Sequence, residues 1–280
     1  FCTSEGDMEF VGYLDFWFAD LPLVERVAKF AELGVRRLNV WLWRSIAIEE
    51  LVGECQRRGV VLNDTFDERG GSLVDAADHP YCLDAWAESL EMAGRLGIDT
   101  LYMFSDEVGP DGWIKRLSRD YTPEEKYANL LDGAAKVMEL VGNTGINVWF
   151  EALNTVYIHG GVTVSTHAMA ADVVRRIDHP QLRMSFDCFH QQLTAGNLIA
   201  GLEEYAGLYG AVHIGDVPTR QEPGTGEINF ANIASKLREL EYDGLLGLEF
   251  YPSTTESEAL AEVERYFGPN TGLDLAGGRP

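Results

Sequence analysis

The sequence predicts an α/β protein built as a single (β/α)8 barrel over residues 1–280, on three observations. An apolar run followed by a segment with helically spaced apolar residues occurs eight times in order. No low-complexity linker divides the chain, and 46% hydrophobic residues over 280 positions suffice for one large core. The competing open doubly wound sheet usually carries a glycine-rich turn after its first strand, whereas here "DFWFADLP" follows. Strands that alternate with helices return in parallel, and eight such units close a TIM barrel.

The first unit reads "FVGYLDFWF" as strand and "LPLVERVAKFAELGV" as helix, with Gly34 as its stop. "RRLNVWLW" precedes a helix over 45–58, and "GVVLND" precedes one over 83–96. "DTLYMFS" leads to 123–142 and "INVWFEAL" to 166–177. "LRMSFD" is followed by a helix over 192–206, "GAVHIGD" by one over 229–240, and "GLLGLEF" by one over 255–266. Long loops over 64–82 and 105–122 fall after the third and fourth strands, on the face where such barrels build their sites.

Charge excludes several partners. Against 22 Lys+Arg stand 45 Asp+Glu, and a net charge of −23 repels phosphate backbones and anionic lipid, so neither nucleic acid nor a membrane is expected. No apolar run is long enough to span a bilayer and no secretion signal is recognisable, which with the four scattered cysteines, Cys2, Cys55, Cys82 and Cys188, predicts a soluble cytoplasmic protein with free thiols.

Four strand ends carry the chemistry. Glu151 in "WFEALN", Asp187 in "SFDCFH", His213 in "VHIGD" and Glu249 in "GLEFYP" close strands five to eight, which lie side by side around one rim of a barrel. Three carboxylates brought together repel unless a cation compensates. Three oxygen donors and one imidazole suit one divalent ion, Mn²⁺ or Mg²⁺, with Co²⁺ admissible and Zn²⁺ less favoured without thiolate. The segment "HIGDVPTRQEPGTGEINF" then adds Arg220 and Glu227, while its Gly224 and Gly226 serve tight turns. Trp17 is expected to end strand one and wall a substrate, with Phe16 and Phe66 as further candidates. His159 lies in a loop past strand five, within reach of a pocket; His167 sits at a helix start and His179 in a turn on the opposite face.

These residues resemble the sugar isomerases and epimerases of the xylose-isomerase-like barrel superfamily, and within it the hydroxypyruvate isomerase family. "FEALNT", "FDCFHQQ", "DVPTRQEPGTGEINF" and "GLLGLEFYP" match that family's motifs in order. The departures are His213 where the family often has Gln, Ala152 for its Pro, Gln221 for its His, and a different loop over 63–82.

The resemblance implies a divalent-metal-dependent isomerase or epimerase of a small hydroxy-carbonyl substrate, a hydroxypyruvate-like 2-oxo acid or a free ketose, working by enediolate proton transfer. It assigns that transfer to Glu151 and Glu249, also metal ligands beside Asp187 and His213. It makes His190 and Arg220 substrate contacts, puts Glu227 in an outer, supporting position, and places Asn154 in one or other of these roles. The alternative is a C-glycoside deglycosidase subunit acting on a keto-sugar with a small partner subunit. A binding barrel without chemistry stands against the presence of both glutamates, and an abasic-site endonuclease against the charge. Homo-oligomers through the loops over the site are left open.

Overall fold

The computed structural model describes residues 8–67, 71–109 and 111–270. Cys2 lies outside them; Cys55, Cys82 and Cys188 are buried and free. Eight parallel strands close in sequence order: β1 (Glu9–Tyr13), β2 (Arg37–Val40), β3 (Val61–Thr65), β4 (Thr100–Met103), β5 (Asn147–Phe150), β6 (Leu182–Asp187), β7 (Tyr209–Ile214) and β8 (Leu245–Leu248), with β8 paired to β1. Around them run α1 (Leu23–Glu32), α2 (Ile48–Arg58), α3 (His79–Leu96), α4 (Pro123–Val141), α5 (His167–Ile177), α6 (Cys188–Thr194), α7 (Leu198–Glu204), α8 (Phe230–Glu239) and α9 (Glu256–Phe267). No helix among the described residues is long and apolar enough to cross a membrane.

The main core fills the space between strands and helices. A second cluster of Tyr102, Trp149 and Ala211 collects from β4, β5 and β7. There the β6–β7 register slips between Met184 and Ser185, and the indole of Trp149 occupies the space at Gly210, where an added Cβ would stand 2.0 Å from Nε1. Glycine is required at this approach.

Helix starts follow their capping chemistry. Thr122 and Thr255 form full capping boxes with Glu125 and Glu258, while Thr166 and Asn229 each accept one backbone N–H. Two expectations are corrected. β1 stops at Tyr13 and the chain turns through 14–20, with the amides of Phe16 and Trp17 both donating to the Tyr13 carbonyl, so Tyr13 rather than Trp17 ends the strand. The expected helix over 192–206 is two short ones, because Gly196 and Asn197 both take positive φ, 61° and 55°.

Candidate metal centre

Glu151 and Glu249 each directly follow a strand, β5 and β8, while Asp187 and His213 sit opposite each other at the ends of β6 and β7. All four are buried, and each offers one ligand atom such that these atoms all lie within 4.8 Å of one another. His213 Nδ1 stands 2.9 Å from Glu249 Oε2 and 3.9 Å from an oxygen of both Glu151 and Asp187. Burial, then the charge of Glu249, pushes the Glu151 carboxyl well above the usual carboxylate range. Burial works against a charged His213, yet contact with Glu249 and the surrounding carboxylates raises its imidazole to about 9.

The cluster fits a divalent cation on its own geometry. His213 Nδ1 and Glu249 Oε2 are buried without a hydrogen-bond partner, close but off bonding geometry, and a cation between them would engage both. The other ring nitrogen of His213 is already committed. Its Nε2 lies 3.2 Å from the Tyr13 hydroxyl and 2.9 Å from that of Tyr102, and these hydroxyls are 3.1 Å apart. The two tyrosines therefore turn Nδ1 toward the acids.

His190 is fixed in the same manner. Its Nδ1 accepts the Asn154 backbone N–H at 3.0 Å and pairs with the Asn154 side-chain amide at 2.9 Å. Asn154 Oδ1 meanwhile accepts from Val156 and Tyr157, which orients that amide. An Nδ1 that accepts leaves the proton of the neutral ring on Nε2. That N–H faces the centre, 3.7 Å from Asp187 and 3.9 Å from Glu151. Asn154, 1% exposed, thus supports His190 from behind and does not line the cavity as a substrate contact would.

Arg220 does line the cavity, flanked by the rings of Phe16 and Phe189 at 5.3 and 4.8 Å. Its Nη2 contacts Asp187 Oδ2 at 3.3 Å and hydrogen-bonds Glu249 Oε1, and its Nε donates to the Glu249 carbonyl. The loop bearing it is organised by Asp216, which sequence reasoning missed. Asp216 Oδ1 accepts from the amides of Val217 and Ile228, and Oδ2 from those of Gly224 and Gly226. Gly226 packs so closely that a Cβ there would meet the Val217 carbonyl oxygen at 1.9 Å.

Two further expectations are corrected. Glu227 is exposed and bonds Gln192, away from the centre; the buried glutamate of this loop is Glu222, held by Ser253 and Thr254. Trp17 has no exposed surface, donates to the Leu248 carbonyl at 3.1 Å and packs against Phe30 and Phe250 behind the strands. Sequence reasoning also missed Tyr13 and Tyr102; their signal was a phenol on the strand face shared with the site.

Over Glu151 and Glu249 opens a cavity of about 270 Å³, with His190, Arg220 and His159 also among its lining. His167 is not part of it: it is buried against Phe186, and burial depresses its imidazole to about 3.

Comparison with known proteins agrees with this architecture. The family described as xylose isomerase-like TIM barrel matches residues 27–267. The 2-oxo-tetronate isomerase of Pectobacterium atrosepticum is 32% identical over 264 residues, covering 91% of this chain and 97% of that one. The hydroxypyruvate isomerase of Escherichia coli is 27% identical over 267 residues, covering 92% and 99%. Among solved structures, one titled AP endonuclease, family 2 from Brucella melitensis superposes with a TM-score of 0.82 at 22% identity, covering 92% of this chain and 99% of that one, a likeness of fold.

Proposed function

The chain belongs to the xylose isomerase-like TIM barrel family, and from that premise we propose that it is a divalent-metal-dependent isomerase or epimerase of a small hydroxy-carbonyl compound, either a 2-oxo acid of the hydroxypyruvate kind or a free ketose. The observation that carries this reading is the pair of buried glutamates, Glu151 and Glu249, in one cluster with Asp187 and His213.

Moving a proton between neighbouring carbons, or between the two faces of one carbon, requires groups that take it and return it. Glu151 sits buried beside Glu249 in this cluster, placed to take up and return the proton. Glu249 has Arg220 on one oxygen and His213 beside the other, so it is oriented as the second carboxylate. His190 presents its Nε2–H to a developing oxyanion. A divalent ion held by Glu151, Asp187, His213 and Glu249 would polarise the carbonyl and acidify the neighbouring hydroxyl; the donor set favours Mn²⁺ or Mg²⁺.

The −23 net charge speaks against a nucleic-acid substrate, and the buried free cysteines are in keeping with a reducing, cytoplasmic setting. NMR in D₂O on Mn²⁺- or Mg²⁺-loaded protein, offered hydroxypyruvate, four-carbon 2-oxo acids, ketoses and keto-glycosides, tests the reading. Carbon-bound deuterium should appear only with metal, and Glu151→Gln or Glu249→Gln should slow exchange by about 10²–10⁴-fold. Undiminished exchange in both variants would remove the assignment.

A further inference from the structure

His159 has no part in the metal centre, yet it is built with care. Its ring lines the cavity, is 8% exposed, and lies 5.9 Å, centroid to centroid, from His190. Nδ1 is buried beside the Gly112 backbone, just off bonding geometry, so contact with a ligand falls to Nε2. The backbone sits at φ 60°, a left-handed conformation that costs energy for an imidazole and is retained where the surroundings impose it.

The surroundings here are two loops. His159 N donates to the Gly112 carbonyl at 3.1 Å, and Val162 N to the His159 carbonyl at 3.0 Å. Trp113 packs over Gly160, where a Cβ would come within 3.0 Å of its ring, and Ile158 packs against Gly112. The loop after β4 thus clasps the loop after β5 and holds His159 at the cavity wall. Trp41, Phe66 and Phe104 form a further, continuous aromatic wall, with successive centroids 5.9 and 5.3 Å apart.

The charges are as telling. Among the described lining residues Arg220 is the one cation, and Asp187 and Glu249 already engage it, while Asp111 adds negative charge. The cavity volume of about 270 Å³ exceeds what a three-carbon acid fills.

Resting on the isomerase reading, we propose that His159 is a specificity-determining contact that hydrogen-bonds a hydroxyl on the uncharged chain of a five- or six-carbon keto-sugar, whose carbon face lies on the Trp41, Phe66 and Phe104 wall. Burial, reinforced by Arg220, holds the imidazole at about 4, so at neutral pH it is an uncharged partner for a hydroxyl and offers no charge to a carboxylate.

The test compares deuterium exchange by Mn²⁺-loaded wild type, His159→Gly and His159→Asn on a ketohexose, dihydroxyacetone, hydroxypyruvate and a four-carbon 2-oxo acid. Gly is unstrained at this φ and Asn tolerates it, so both variants keep the backbone. The wild type should favour the ketohexose over both acids. His159→Gly should lower the ratio of kcat/KM for ketohexose to that for dihydroxyacetone by about tenfold, mainly through KM, with partial recovery in His159→Asn. Faster exchange of either acid, or an unchanged ratio in His159→Gly, would overturn the proposal while leaving the isomerase reading in place. Exchange into none of the substrates would remove that reading and the proposal together.

Discussion

Replacing Asp216 probes how the loop from His213 to Phe230 is held. The side chain is fully buried and accepts four backbone N–H groups, at 2.8 to 3.0 Å. Asn has one acceptor oxygen, so Asp216→Asn must set its NH₂ against two of the four donors. The amides of Val217 and Ile228 are buried, whereas those of Gly224 and Gly226 are only partly so. The oxygen should therefore stay with the first pair, and the second pair loses its acceptor.

A donor left without a partner costs about 1–3 kcal/mol, less where water can reach it, which gives about 3 kcal/mol for Asp216→Asn. Asp216→Ala abandons all four donors, two of them dry, and should cost about 5 kcal/mol. Thermal melts followed by circular dichroism should register the first as a fall of roughly 5 °C and the second as a larger one. An Asp216→Asn protein within about 1 kcal/mol of wild type, or one less stable than Asp216→Ala, would refute the account of this loop.

Glu222 gives a pH-dependent counterpart. Burial raises its carboxyl, but hydrogen bonds from Ser253 and Thr254 win and hold it below its ordinary value of 4.5. A folded-state value below the unfolded one stabilises the protein above the ordinary range and ceases to do so as pH falls through the lowered value. Melts of wild type and Glu222→Gln should differ most near pH 7 and converge in acid; a constant gap would contradict this. Gly210→Ala should cost about 1–3 kcal/mol in urea unfolding, because its methyl would collide with the Trp149 indole. An unchanged midpoint would mean the indole moves freely.

The barrel was legible because its strands are short apolar runs followed by helices with recognisable stops and caps, a pattern that needs no tertiary knowledge. Glu151, Asp187, His213 and Glu249 were legible for a related reason: an ionisable residue at the end of an apolar strand stands out, and barrel closure brings four such ends together. Trp17 misled because "FVGYLDFWF" stays apolar beyond the point where the backbone turns, and composition does not register a turn made by backbone hydrogen bonds to the Tyr13 carbonyl. Glu227 and Glu222 flank one glycine-rich turn, and which of the two enters the interior depends on the Asp216 bonds that fold it. Asn154 was legible as polar and near the site, but its hold on His190 is a contact 36 residues away in the chain.

Asp187 divides its two oxygens between two duties. Oδ1 accepts the His190 amide at 2.9 Å as the N-cap of α6, and Oδ2 faces His213 and Arg220 in the centre. Asparagine caps a helix about as well as aspartate but brings no negative charge to a cation. If the proposed metal-dependent reading holds, one exchange of oxygen for nitrogen would leave the architecture standing while silencing the chemistry. In a lineage released from selection for turnover, decay at this position would be invisible to folding, and descendants could keep the barrel long after its reactivity had gone.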